Sequence, residues 1–300
     1  MHADIGARLM LVALGLIWGI TWPVMKIALN EIPPLTMRAT AAAFGAVTYY
    51  LMCVFMRRSL RIPSPKAWAH ILVGSLLNIV AFSLFSAFAQ LVATTSRVAI
   101  LAYTMPIWST LLAWPFLGER PNRVQATALV LCATGLAILI YPLTANGIPL
   151  GIVFALAVGV CWGGGTVYLK WAHIEADQMG AGSWQMTIAA VILVACMLIF
   201  DGGPHFATAH RDGILATAWT GIAGNGIAYA LWFTIIQRLP AVTASLGVLA
   251  SPVIGVIGSF LLLGEVPTAP DMIGFALIFV ASACVLLTRQ SAVETASHAA

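Results

Sequence analysis

Charge is scarce in this chain: Asp, Glu, Lys and Arg make up only 8% of its 300 residues, against the roughly 25% of an ordinary soluble domain. With 61% hydrophobic residues and a mean hydropathy of +0.98, a soluble fold is excluded. The five cysteines, Cys53, Cys132, Cys161, Cys196 and Cys284, all lie in apolar runs without Cys-x-x-Cys spacing. They imply neither a disulfide framework nor a metal site. No Asp, Glu or His falls in the middle of an apolar run, so the intramembrane carboxylate relay of many pumps is missing. Gly-x-Ser-x-Gly, His-Glu-x-x-His and paired intramembrane aspartates are also absent. The chain is therefore not expected to be an enzyme, and no cofactor is expected. Gly163-Gly164-Gly165 lacks the lysine and hydroxyl residue that end a phosphate loop, and it reads as a loosening of its helix. The net charge of +4 gives no ground for a nucleic-acid partner, because the positive residues cluster in short loops.

What is present is a set of long apolar segments. Ten can be drawn, at 9–29, 35–56, 68–92, 97–117, 124–142, 149–172, 183–200, 214–237, 242–263 and 271–288, each near the ~20 residues that cross a bilayer. The first has no small-residue cleavage site after it and reads as a retained span. The expected fold class is all-α integral membrane, with the lipid bilayer as surroundings and any function inside the bundle.

The chain also repeats itself. Pro106, Leu117-Gly118-Glu119 and Pro121 return as Pro252, Leu263-Gly264-Glu265 and Pro267, 146 positions later. Gly15, Trp18, Gly19 and Lys26 return as Gly159, Trp162, Gly163 and Lys170 at an offset of 144. Gly74, Asn78, Phe82, Phe85 and Gln90 return as Gly221, Asn225, Tyr229, Trp232 and Gln237 at 147. The halves are read as 1–145 and 146–289, with 290–300 as a disordered cytoplasmic tail. Because five spans per half is odd, the second copy enters the membrane upside down, as inverted repeats do. Counting Lys and Arg on the two sides puts both termini in the cytoplasm.

Polar groups and backbone breaks at membrane depth are the informative positions, since lipid gives them no hydrogen-bond partner. Asn78, Phe82 and Phe85 share one helix face, as do Asn225, Tyr229 and Trp232. The asparagines serve either as interhelical hydrogen bonds or as cavity lining. Trp18 and Trp162 lie too deep for the interfacial belts; they share faces with Trp22 and Thr166 respectively, and either pack or face a ligand. Pro106 and Pro252 are expected to kink their helices at mid-membrane and to free the carbonyls of Ala102 and Val248, beside Tyr103. Each is a hinge or a static kink. Lys26 with Glu265, and Lys170 with Glu119, fall at opposite faces, and read either as gate latches or as solvated helix ends.

These features resemble the drug/metabolite transporter superfamily and its ten-helix EamA-type members. The resemblance rests on Trp18-Gly19 and Trp162-Gly163, on Arg38 early in the second helix, and on the mid-helix proline with Leu-Gly-Glu and proline. It implies a central cavity among helices 1, 3, 4, 6, 8 and 9, with helices 5 and 10 peripheral. The first helix lacks the glutamate of the small multidrug relatives. A cavity read as uncharged and rich in rings points instead to YddG-type exporters of aromatic amino acids. The expected function is export of aromatic and other hydrophobic amino acids by alternating access, as a monomer or weak dimer in the inner membrane. A broader drug or nucleobase exporter, and an integral-membrane enzyme or scaffold, are the alternatives.

Overall fold

The computed structural model describes residues 5–118, 120–143, 149–238 and 250–298. Among them all regular structure is helical. Two long helices come first, α1 (Ile5–Glu31) and α2 (Pro34–Phe55). Next, α3 (Pro65–Ser75) runs through a π-helical stretch, Leu76–Ala81, into α4 (Phe82–Val92). The first half ends with α5 (Thr95–Ala102), α6 (Met105–Leu117) and α7 (Arg123–Ile140). In the second half, α8 (Leu150–Ala172) and α9 (Gln178–Cys196) lead to α10 (Arg211–Trp219). A second mid-span π stretch, Thr220–Ile227, joins α10 to α11 (Ala228–Arg238). The last helices are α12 (Ala250–Leu263) and α13 (Ala269–His298). Eight described segments are long and apolar enough to cross a membrane, and Ser251–Leu263 and Ala269–Ala281 are shorter apolar helices.

Local chemistry sets the ends. Ser64 accepts from Ala67 N ahead of Pro65, Asn122 and Gln125 cap each other reciprocally, and Asp177 accepts from Gly180 N, each supplying a partner to an orphan amide of the first turn. The Leu-Gly-Glu repeats are helix stops. Gly118 and Gly264 take φ of 71° and 67°, the left-handed conformation that ends a helix and that glycine adopts without a Cβ clash.

Packing follows the duplication. α1 lies against α12 and against α10–α11, while its copy α8 lies against α5–α6 and against α3–α4. The pairs α2 with α9 and α7 with α13 match helices with their own copies. Small residues allow the closest crossings: a Cβ on Gly19 would lie 2.9 Å from Ser251 O, and one on Gly163 would lie 2.8 Å from Met105 O. Residues 19 and 163 are copies, as are 105 and 251, so one backbone-to-backbone contact occurs twice.

Three expectations change. The fourth span is not one kinked helix: it breaks at Tyr103–Thr104, and Pro106 stands in the first turn of α6, where its missing N–H would have had no intrahelical partner. Pro252 lies near the start of the described part of α12, and the residues ahead of Ala250, Val248 among them, lie outside the described residues. The third and eighth spans carry π stretches that periodicity did not signal. The tail read as disordered is helical through His298, because 290–298 contains helix formers and neither Gly nor Pro.

Candidate functional site

Helices alternate in direction, so the bundle has two ends. One gathers 55–65, 117–123 and 172–178, and the other gathers 31–34, 92–95, 201–211 and 263–269. They are called here the vestibule end and the sealed end.

At the vestibule end an open cavity of about 760 Å³ enters between the halves. Asn78, Thr166, Lys170, His173, Glu175, Gln185 and Trp232 are among its walls, and its floor includes Trp162 and Tyr229. Beyond that floor, towards the sealed end, lies a chamber of about 70 Å³ lined by Trp18, Trp22, Met25, Arg38, Phe82, Ala102, Tyr103, Thr220, Asn225 and again Trp162 and Tyr229. At ~10–15 Å³ of such space per water, it holds a cluster of a few waters or one small polar head group.

Rings separate the two spaces. Trp18 and Trp162 meet edge to face at 6.1 Å and 87°. Being copies of one another, they mark where the two halves face each other. Phe82 stands 4.9 Å from Trp162, and its copy Tyr229 stands 6.0 Å from Trp18. Trp162 with Tyr229 at 5.9 Å, Trp18 with Trp232 at 6.0 Å and Trp22 with Phe82 at 6.0 Å complete the layer. Such tilted and edge-on pairs are the favoured geometries of aromatic quadrupoles. Trp18 Nε1 also donates to Gly224 O at 3.2 Å, within the π stretch, where helical hydrogen bonding is irregular.

Both asparagines sit in π stretches. Asn78 packs so closely on α8 that a Cβ on Gly165 would fall 2.1 Å from its Oδ1, and Asn225 would meet a Cβ on Gly45 at 2.6 Å. Asn78 lines the vestibule and Asn225 the chamber. The Oδ1 of Asn78 is buried without a hydrogen-bond partner among the described residues. π turns in helices recur at functional sites because they displace backbone and side chains from the regular ladder.

The sealed end is tied by ionic contacts. Glu265 accepts from Thr95 N at 2.7 Å and from Ser96 N and Oγ at 2.9 and 2.8 Å, covering the N-terminus of α5. Arg97 grips Asp271 through Nε and Nη2 at 2.6 and 3.0 Å. Lys26 Nζ donates to Gln90 O at 2.5 Å, and Gln90 Nε2 donates to Trp22 O at 3.1 Å. The expected Lys26–Glu265 latch is therefore replaced: backbone amides at a helix start hold the carboxylate, and a carbonyl holds the ammonium. Glu119, and with it the expected pairing with Lys170, lies outside the described residues.

Of the remaining expected site residues, Phe85 turns away and stacks on Phe154 at 5.9 Å. The expectation of an uncharged cavity is corrected by Arg38, which lines the chamber while only 3% exposed. The motif containing it was visible, but its place four residues into α2 read as a helix end. Thr21, Met25 and Thr220 carried no sequence signal at all. Among the described residues no cluster of metal-ligating side chains occurs.

Known proteins agree with this architecture. The model of the EamA-like transporter family matches residues 6–141 and again 149–287. The "Uncharacterized transporter YoaV" of Bacillus subtilis is 26% identical over 89% of this chain and 92% of that protein. The "Uncharacterized inner membrane transporter YedA" of Escherichia coli K12 is 24% identical over 93% and 90%. A "Probable amino-acid metabolite efflux pump" of Escherichia coli K12 is 25% identical over 87% and 88%. A solved crystal structure shares the fold with a TM-score of 0.66 and 22% identity, covering 96% of this chain and 99% of that one. Twice matched by one family model, and built as a multi-pass bundle around a cavity between its two halves, this chain belongs to the EamA-like transporter family.

Proposed function

We propose that this protein exports hydrophobic, chiefly aromatic, amino acids across the inner membrane by alternating access between two inverted five-helix repeats. The observation that carries the reading is the ring layer: repeat-related Trp18 and Trp162 touch each other between an open vestibule and a small polar-ended chamber. A flat apolar side chain entering the vestibule exchanges water for stacking on these rings, which stabilises it by about 0.5–1.5 kcal/mol per pair beyond simple burial. Asn225, on the wall of the chamber, is the polar side chain that stands beside the substrate's head group. The name "Probable amino-acid metabolite efflux pump" carried by a relative supports the export of amino-acid-like solutes.

The lysine and arginine distribution supports a cytoplasmic position for both termini and, with them, for the vestibule. The conformer then stands ready to load, with its outer end sealed. The break before Pro106 and the repeat-related position of Pro252 are the hinges, and Lys26 with Glu265, and Lys170 with Glu119, serve to close the two ends in turn. Because stacking tolerates any flat ring, a broader exporter of ring-bearing drugs or nucleobases is the second reading.

Counterflow in proteoliposomes decides between them. Labelled tryptophan should accumulate in vesicles preloaded with tryptophan or phenylalanine, and not in protein-free vesicles. Exchange of a purine or dye with no exchange of amino acids removes the amino-acid assignment. Absence of any exchange favours a scaffold or enzyme.

A further inference from the structure

Arg38 is the charge that the chamber does not balance. Its guanidinium stays protonated in proteins, and the side chain is 3% exposed. Nη2 donates to Ser86 Oγ, which itself donates to Phe82 O at 2.5 Å. Nε is buried with no partner, and among the described residues Arg38 makes no ion pair. The polar side chains sharing its chamber, Thr21, Tyr103, Thr220, Asn225 and Tyr229 among them, are neutral. A buried, incompletely bonded cation is strongly unfavourable unless an anion joins it. The planar fork of arginine matches a carboxylate.

We infer that Arg38 recognises the carboxylate of the transported solute, and that the site takes ring-bearing monocarboxylates whose amino group is dispensable. This rests on the reading above, that aromatic solutes cross through this cavity. Dimensions and charge agree. The chamber has room for a head group, and the ring is left in the layer of Trp18, Trp162 and Tyr229. An aryl carboxylate or aromatic 2-oxo acid neutralises the chamber. An arylalkylamine would bring a second positive charge beside the first. No carboxylate lines the chamber to receive an ammonium; Glu175 belongs to the vestibule wall, in the α8–α9 connection beyond the rings. The alternative is that Arg38 merely ties α2 to α4 through Ser86, in which case the ligand's charge is irrelevant.

The test is binding of phenylalanine, 3-phenylpropionate and 2-phenylethylamine to the purified full chain, read by calorimetry and tryptophan fluorescence. Phenylpropionate should bind within about 3-fold of phenylalanine and phenylethylamine about 30-fold more weakly, the scale set by leaving a buried charge without its partner. Arg38→Lys should keep this order, and Arg38→Gln should abolish it. Equal binding of amine and acid by the unaltered chain overturns the assignment without reference to any variant. Binding of phenylalanine without phenylpropionate overturns the dispensable amine; in both cases aromatic transport still stands. Retention of the order by Arg38→Gln assigns the selectivity elsewhere and overturns the role of Arg38. Failure of all three ligands to bind removes the transport reading as well.

Discussion

Among the described residues the two ends of the bundle are tied by different means, and a cavity opens at only one of them. At the sealed end carboxylates of one half reach backbone amides or a guanidinium of the other. Glu31 accepts from His210 N at 2.8 Å and Gly213 N at 3.2 Å, Glu265 covers the start of α5, and Asp271 holds Arg97. At the vestibule end the ties join the α2–α3 connection to α9, through Arg58 with Asp177 at 2.9 Å and Trp184 Nε1 with Leu60 O at 2.9 Å. They leave α8 and α11 standing apart across the cavity that Lys170, Trp162 and Trp232 line. A carboxylate on a helix N-terminus meets fixed partial positive charge without ordering a second long side chain, so the sealed end rests on more rigid contacts. The difference lies in caps that cross between the halves: Glu31 and Glu265 cap helix starts of the opposite half at the sealed end, whereas Ser64, Asn122 and Asp177 at the vestibule end cap their own helices.

Breaking the sealed end should have the largest effect. Asp271→Asn leaves Arg97 facing a neutral amide where Asp271 is 7% exposed, and loss of a buried ionic partner costs about 3–5 kcal/mol. Thermal unfolding in detergent should drop markedly, and thiol labelling of a cysteine placed at Ser96 should rise. Unchanged labelling would show that this contact does not hold the end shut.

Next comes the wall between the halves. Gly165→Ala puts a methyl group 2.1 Å from Asn78 Oδ1, whereas Gly164→Ala meets only Leu112 Cδ1 at 3.4 Å. The first should lower stability by about 1–3 kcal/mol through overpacking, and the second should leave it nearly unchanged. Similar melting temperatures for the two variants would contradict the close α8 crossing.

Trp162→Ala removes one of the two rings shared by both cavities. Substrate affinity measured by calorimetry should fall about 3- to 10-fold, corresponding to one aromatic pair, with a further contribution from lost burial. The smallest effect is expected at the vestibule end. Arg58 and Asp177 are 30% and 20% exposed, and Arg58→Ala should change stability by about 1 kcal/mol or less. A loss as large as that of Asp271→Asn would erase the distinction between the ends.

Much of this arrangement could be read from residues, and the duplication was the reason. Trp18, Trp162, Phe82 and Tyr229 stood out because they recurred at fixed offsets, and all four line the chamber. The spans followed from hydropathy, and the Leu-Gly-Glu repeats from the glycine that stops each helix. The π stretches did not follow, since Leu76–Ala81 has neither glycine nor proline to mark it. The partners of Glu265 were missed because charge counting pairs side chains with side chains, whereas here the backbone amides of Thr95 and Ser96 take the carboxylate. Phe85 shared a helix face with Phe82 in the periodic reading, but Phe154 on α8 offered it a stacked surface away from the cavity.

The most direct measurement places a single cysteine at Thr166, an exposed vestibule position, after replacing Cys53, Cys132, Cys161, Cys196 and Cys284. A membrane-impermeant thiol reagent should label it from the cytoplasmic side of inside-out vesicles and not from outside intact cells. Adding tryptophan should reduce the cytoplasmic labelling as the cavity fills and turns. Equal labelling from both sides without substrate, or labelling from outside alone, would contradict a cytoplasm-facing vestibule sealed at its far end.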